Sequence, residues 1–246
     1  MKPQALRQFR RKLHAGEALY GLCITLESAA VSDIAAGLGL DWIMIEAENG
    51  HLDWAEILEH VRATVRSDTV ALVRLGNVSP ELIKRLLDIG ADGLAVSGIK
   101  TPAQLQAVVN WARPSPSKGL ESDVDALVVP IIDPWRTEDS FLELLGIDGI
   151  EVFLFDFEKY PSKSGSHPRG LNLTRPELDR KILEIRKHEK HAGMIVPDIQ
   201  SLPMYRDIGF GMLGLGFDET LILNGIRSML AVAGANVQGK DGENES

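Results

Sequence analysis

Short apolar runs alternate along the chain with segments in which hydrophobic positions recur every three to four residues. The runs predict strands at Leu19–Thr25, Trp42–Ile45, Val70–Arg74, Gly93–Val96, Ala126–Ile132, Gly149–Phe153, Gly193–Val196 and Met212–Leu215. The intervening segments predict helices at Ser28–Gly37, Trp54–Arg66, Pro80–Ile89, Pro102–Ala112, Glu138–Leu145, about Arg175–Lys190, Ser201–Ile208 and Glu219–Ala233. The strands are apolar throughout, as expected where both faces are buried. Eight strand–helix units with short links predict a single α/β domain, a (β/α)8 TIM barrel spanning residues 1–234. Its functional site is expected at the C-terminal ends of the strands.

The links carry a recurrent chemistry. Gly39-Leu40-Asp41, Gly90-Ala91-Asp92 and Gly146-Ile147-Asp148 each follow an apolar residue and lead into a strand. Glycine there closes a helix at little steric cost, so the repeat reads as turn chemistry and not as a binding motif. Residues 113–125 and 156–174 break the rhythm as long polar loops, the second after the sixth strand, where a lid would sit. The Gly-rich polar tail, residues 235–246, is expected to be disordered.

Composition narrows the classes. With 246 residues the chain is long enough for one barrel, and 44% hydrophobic with 25% charged residues is the balance of a soluble globular domain. A net charge of −9 argues against a nucleic-acid surface, which needs clustered Lys and Arg. The single cysteine, Cys23, excludes an internal disulfide and a Cys-rich zinc site, and reads as a small buried hydrophobe. No apolar run spans a bilayer and the N-terminus is no signal peptide, so no membrane partner and a cytoplasmic location are expected.

The strand ends supply the candidate chemistry. Thr25 and Glu27 follow the first strand; Glu46, Glu48, Asn49 and His51 follow the second; Arg74 ends the third. Asp133 and Asp156 end the fifth and sixth, and Asp218 follows the eighth. Adjacent strands lie about 4.8 Å apart, so Asp133 and Asp156 can converge on one Mg2+ or Mn2+, ions that favour hard oxygen ligands. Taken singly, each is equally an N-cap of the next helix. Arg74 at the same mouth can bind a carboxylate or stabilise an enolate oxygen, or simply pair with an acidic neighbour. His60 and the pair His188/His191 read as surface positions.

Read together, these residues resemble the HpcH/HpaI aldolase family of the citrate lyase beta-like superfamily, over roughly Leu13 to Ala233. The carrying segments are residues 39–48 (GLDWIMIEAE), Val73-Arg74, residues 82–93 (LIKRLLDIGADG), Asp148-Gly149-Ile150 leading to Asp156, and residues 214–218 (GLGFD). The resemblance implies a class II, metal-dependent carbon–carbon lyase that acts on a pyruvate-type 2-oxo acid, with an aldehyde or second oxo acid as the other reactant. It implies Asp133 and Asp156 as ligands to Mg2+ or Mn2+, Arg74 as the group that steadies the enolate, and Asp88 as an acid that reaches a neighbouring subunit. It also implies a homo-oligomer, dimer to hexamer, whose last helix is exchanged between protomers.

The departures fall at the site. The family's Glu-His after the second strand reads Glu48-Asn49 here, and an amide cannot relay a proton at neutral pH. His51 lies two residues on as a substitute. The metal-binding Glu is shortened to Asp133, and a small segment that offers backbone N–H groups to substrate is Phe153-Leu154-Phe155 before Asp156. These bulky residues predict a narrowed pocket with Phe155 and Asp156 against substrate. Three readings follow: an aldolase, which in a biosynthetic pathway would run as a condensation; a degenerate paralogue that binds a ligand or partner without turnover; or an unrelated barrel chemistry with Glu46 and Glu48 as an acid/base pair.

Overall fold

A computed structural model describes residues 1–49, 52–113, 124–133, 137–155, 175–196 and 198–234. The elements run α1 (Pro3–His14), β1 (Leu19–Ile24), α2 (Ala30–Gly37), β2 (Trp42–Glu46), α3 (Trp54–Ala63), β3 (Val70–Leu75), α4 (Pro80–Asp88), β4 (Gly93–Val96), α5 (Pro102–Ala112), β5 (Leu127–Ile132), α6 (Glu138–Leu145), β6 (Val152–Phe155), α7 (Arg175–Lys187), β7 (His191–Ile195), a 3-10 turn (Ile199–Ser201), α8 (Leu202–Ile208), β8 (Phe210–Phe217) and α9 (Asp218–Val232). The eight strands close in sequence order, β1 pairing with both β2 and β8, and every pairing is parallel. The expected (β/α)8 barrel is the fold.

Strand parity divides the core. Cys23, Met44, Leu72, Ala95, Val129, Leu154 and Met212 pack together inside the barrel. Their strand neighbours Ile43, Ile45, Val73, Val128, Ile132, Phe153 and Phe155 pack outward against the helices. Trp42 fills the lower interior, and the glycines beside it are required for that. A Cβ on Gly21 would lie 2.0 Å from the indole ring, and one on Gly214 would lie 3.1 Å away.

Helix α1 lies outside the eight predicted units. It lays Ala5, Leu6, Phe9 and Leu13 across the N-terminal end of the barrel, in one cluster with Leu19, Trp42 and Val70. The Gly-x-Asp turns hold it there. Asp41 accepts from the Tyr20 N–H at 2.9 Å and from Lys12 Nζ at 2.6 Å. Asp92, wholly buried, accepts from the Ala71 N–H at 2.9 Å and lies 3.3 Å from Lys2 Nζ. At these two turns one carboxylate ties a strand start to the basic N-terminal segment.

Three strands differ from the sequence expectation by two residues or more at an end. The sixth strand is Val152–Phe155, not Gly149–Phe153, because Gly149 sits in the turn at φ +83° and Glu151 turns to Arg10 Nε at 2.7 Å. The seventh begins two residues earlier at His191, and the eighth extends over Phe210–Phe217. His60 is no surface residue. It is fully buried, with Nδ1 2.8 Å from Ser32 Oγ. Helix α9 presents Leu221, Ile222, Leu223, Ile226, Met229 and Val232 to solvent, and within α9 only Asp218 is buried. Among the described residues no helix is long and apolar enough to cross a membrane. The predicted disordered tail lies outside them.

Candidate functional site at the barrel mouth

Parity decides which residues at the C-terminal rim face inward. Trp42 and Met44 point inside on β2, so Glu46 does too; Val70 and Leu72 place Arg74 inward on β3, and Ala95 places Ser97 inward after β4. The registry Glu46↔Arg74 and Arg74↔Ala95 sets these residues side by side. On β5, Leu127, Val129 and Ile131 face inside, which puts Asp133, exposed beyond the strand end, on the same phase.

The centre of the rim is Arg74, 7% exposed. Its Nε lies 2.9 Å from Glu48 Oε2, and its Nη1 lies 3.2 Å from Glu46 Oε2. Glu46 is 5% exposed. Its second oxygen accepts from the Glu48 N–H at 2.8 Å and the Asn49 N–H at 2.9 Å, so it also shapes the loop after β2. Burying a guanidinium costs several kcal/mol unless its charge is paired, and two carboxylates pair it, at Nε and Nη1. The fork of Arg suits this bridging role, which the point charge of Lys does not. Both carboxylates are engaged by Arg74, so Glu46 and Glu48 do not form a free acid/base pair.

Ser97 completes the group and was not among the sequence candidates. Its hydroxyl donates to Glu48 Oε2. The signal that could have found it is its inward phase one strand after Arg74. On the other side of the mouth, Asp218 is 2% exposed and accepts from the Thr25 N–H at 2.9 Å, the Thr25 hydroxyl at 2.6 Å and the Leu26 N–H at 3.1 Å. It therefore ties the end of β1 to the start of α9. Beneath that junction burial pushes the His60 imidazole below its ordinary pKa range, against smaller opposing pulls from the Leu26 backbone, Asp218 and Glu56.

The remaining candidates separate. Asn49 is exposed and contributes its backbone N–H. Asp88 closes α4, whose C-terminus leads to the N-terminal end of β4, away from the mouth of its own barrel; it pairs with Lys84 Nζ at 2.5 Å. The rings of Phe153 and Phe155 do not narrow the pocket. Phe155 packs edge-on to Phe210, with centroids 5.8 Å apart, and lies 6.3 Å from Phe141, in the layer between barrel and helices. Leu154 is the residue of that segment that faces inside. Any contact of Phe155 with a substrate is left to its backbone. His51 and Asp156 lie outside the described residues.

Among the described residues no group of three or more His, Cys, Asp or Glu side chains is placed to hold a metal ion. Asp133 supplies an oxygen donor of the type a hard divalent cation takes. The β5–β6 pairing ends at Ile132↔Phe155, and the chain continues from these two partners into Asp133 and Asp156.

Comparison with known proteins agrees with the resemblance read from the sequence. The HpcH/HpaI aldolase/citrate lyase family matches residues 19–133, from the start of β1 to Asp133. A hydroxypyruvate/pyruvate aldolase of Pseudomonas aeruginosa is 24% identical over 249 residues, covering 91% of each chain. A 4-hydroxy-2-oxo-heptane-1,7-dioate aldolase of Escherichia coli is 23% identical over 252 residues, covering 92% of this chain and 95% of its own. The crystal structure of an HpcH/HpaI aldolase/citrate lyase family protein from Burkholderia cenocepacia J2315 superposes with a TM-score of 0.79 at 20% identity, covering 93% of this chain and 99% of the other.

Proposed function

We propose that this chain, a homologue of the HpcH/HpaI aldolases in sequence and fold, is a carbon–carbon lyase that forms or cleaves a bond next to the carbonyl of a pyruvate-type 2-oxo acid through an enolate. The observation that carries the reading is the buried Arg74 fixed at the inner rim by Glu46 and Glu48. A preorganised guanidinium stabilises an oxygen as charge develops on it, and does so without reorganising during the reaction. Its position on the inward phase is shared by Asp133. The relatives named as aldolases of pyruvate, hydroxypyruvate and a hydroxy-oxo-diacid support the substrate class.

Asp133 and Asp156 are the proposed ligands of a Mg2+ or Mn2+ ion. When bound, the ion would polarise the carbonyl of the oxo acid as a Lewis acid. Arg74 would bind and orient the oxo acid and stabilise the enolate oxygen. The backbone at Phe155 and Asp156 would contact its carboxylate. Asn49 cannot carry a proton, so His51 is the proposed proton carrier. Asp88, turned away from its own mouth, would assist only from a second copy. The exposed apolar side chains of α9 support a homo-oligomer in which this helix packs on another protomer.

Two measurements test the reading. Calorimetric titration with Mn2+ should show binding that Asp133→Ala weakens and Asp156→Ala abolishes. Pyruvate should exchange its methyl protons into heavy water faster with protein and metal than with metal alone, by NMR. Binding of pyruvate with no added exchange would mean a non-catalytic paralogue, and no heat with Mn2+ would defeat the metal assignment.

A further inference from the structure

We propose that Ser97 is a positioning residue of the mouth, whose hydroxyl seats Glu48 so that Glu48 can hold Arg74. The kinetic part of its test rests on the enolate reading above; the spectroscopic part does not.

Glu48 stands on the loop after β2, while the guanidinium it holds stands on β3. Ser97, 3% exposed and the first residue after β4, donates to Glu48 Oε2. The same oxygen is 2.9 Å from Arg74 Nε. One carboxylate oxygen therefore joins three consecutive strand ends. The next acceptor within reach of Ser97 Oγ, the Leu75 carbonyl, is farther off at 3.4 Å.

The surrounding backbone is shaped to admit this carboxylate. A Cβ at Gly76 would lie 2.7 Å from Glu48 Cγ and 2.8 Å from Glu48 Oε1, so a side chain at the end of β3 would displace the glutamate. Gly98, directly after Ser97, turns at φ +73° and packs back on Gly76, whose carbonyl would be 3.4 Å from a Cβ there. Two glycines thus open the seat, and the serine hydroxyl fixes what occupies it.

The test compares Ser97→Ala and Ser97→Thr with the parent. In 15N NMR the Arg74 Nε–H signal, assigned by its loss in Arg74→Lys, should exchange slowly with water in the parent and in Ser97→Thr. In Ser97→Ala it should shift and exchange faster. The kcat/KM for pyruvate proton exchange should fall in Ser97→Ala and return in Ser97→Thr. An unchanged Nε–H signal in Ser97→Ala overturns the proposal. So do equal effects of alanine and threonine, which would assign Ser97 to packing. If the parent shows no proton exchange at all, the enolate reading fails while the Nε–H signal still decides the role of Ser97.

Discussion

Arg74 and Glu48 meet through a single pair of atoms, Nε and Oε2, 2.9 Å apart, at the inner rim of the barrel. The contact fixes the plane of the guanidinium, because Nε lies next to the side-chain stem and Nη1 is held separately at Glu46, 3.2 Å away. A lysine at this position offers one ammonium and cannot hold both contacts in plane. Arg74→Lys should therefore lower kcat/KM for pyruvate proton exchange about 100-fold, the size typical for loss of one preorganised oxyanion donor. A change below threefold would mean that orientation of the guanidinium is not what the site uses.

The interior of the lower barrel gives a stability prediction. A methyl group on Gly21 would overlap the Trp42 ring, with its carbon 2.0 Å from Cδ2, and neither strand can retreat within a closed sheet. Gly21→Ala should cost roughly 3 kcal/mol, the upper end for overpacking. Urea unfolding reads it directly, and a loss under 1 kcal/mol would show that Trp42 has room to move.

Asp218 carries a comparable load at the opposite end. Four donors, from Thr25 (backbone and hydroxyl), Leu26 and Glu219, end on its buried carboxylate. Asp218→Ala leaves them without partners and should cost about 3 kcal/mol. Hydrogen exchange should rise at Thr25 and Leu26 before it rises in the barrel strands. Uniform exchange across the barrel would contradict this local role.

His60 predicts how stability depends on pH. Burial lowers its folded pKa, so the folded protein holds a neutral ring while the unfolded chain takes up a proton near its ordinary value, about 6.5. Stability is then flat above about pH 6.5 and falls as the pH drops below it, until the folded-state ring also titrates. The slope approaches about 1.4 kcal/mol per pH unit for one proton. Guanidinium unfolding at pH 7.5 and 5.5 should show a smaller difference in His60→Asn than in the parent. Equal differences would place the pH dependence on other groups.

Helix α9 predicts assembly. Ile226 is 53% exposed and Met229 is 75% exposed on a helix in which Asp218 alone is buried. If a second protomer covers them, Ile226→Glu with Met229→Glu should convert an oligomer to monomer by light scattering. An unchanged mass would rule out α9 as the interface.

Much of this was legible in the chain itself. The barrel followed from eight apolar runs separated by helical segments, because a strand covered on both faces leaves a continuous apolar signature. Arg74, Glu46 and Glu48 were legible as rim candidates because strand ends are marked by the first polar residue after such a run. Residues Met1–His14 were legible as a basic, amphipathic stretch, but not that Ala5, Leu6, Phe9 and Leu13 would be buried on the end of the barrel. The sequence could not say which way Phe153 and Phe155 point. A one-residue slip in pairing register reverses every side chain of a strand, and a run buried on both faces carries no sign of its register. Nor could it show that Ser97 meets Glu48 across forty-nine positions. Local periodicity is written in neighbouring residues and survives in the sequence. Inward parity, burial of His60 and the sharing of Arg74 between two carboxylates arise from strands brought together by closure of the barrel, and only the tertiary structure fixes them.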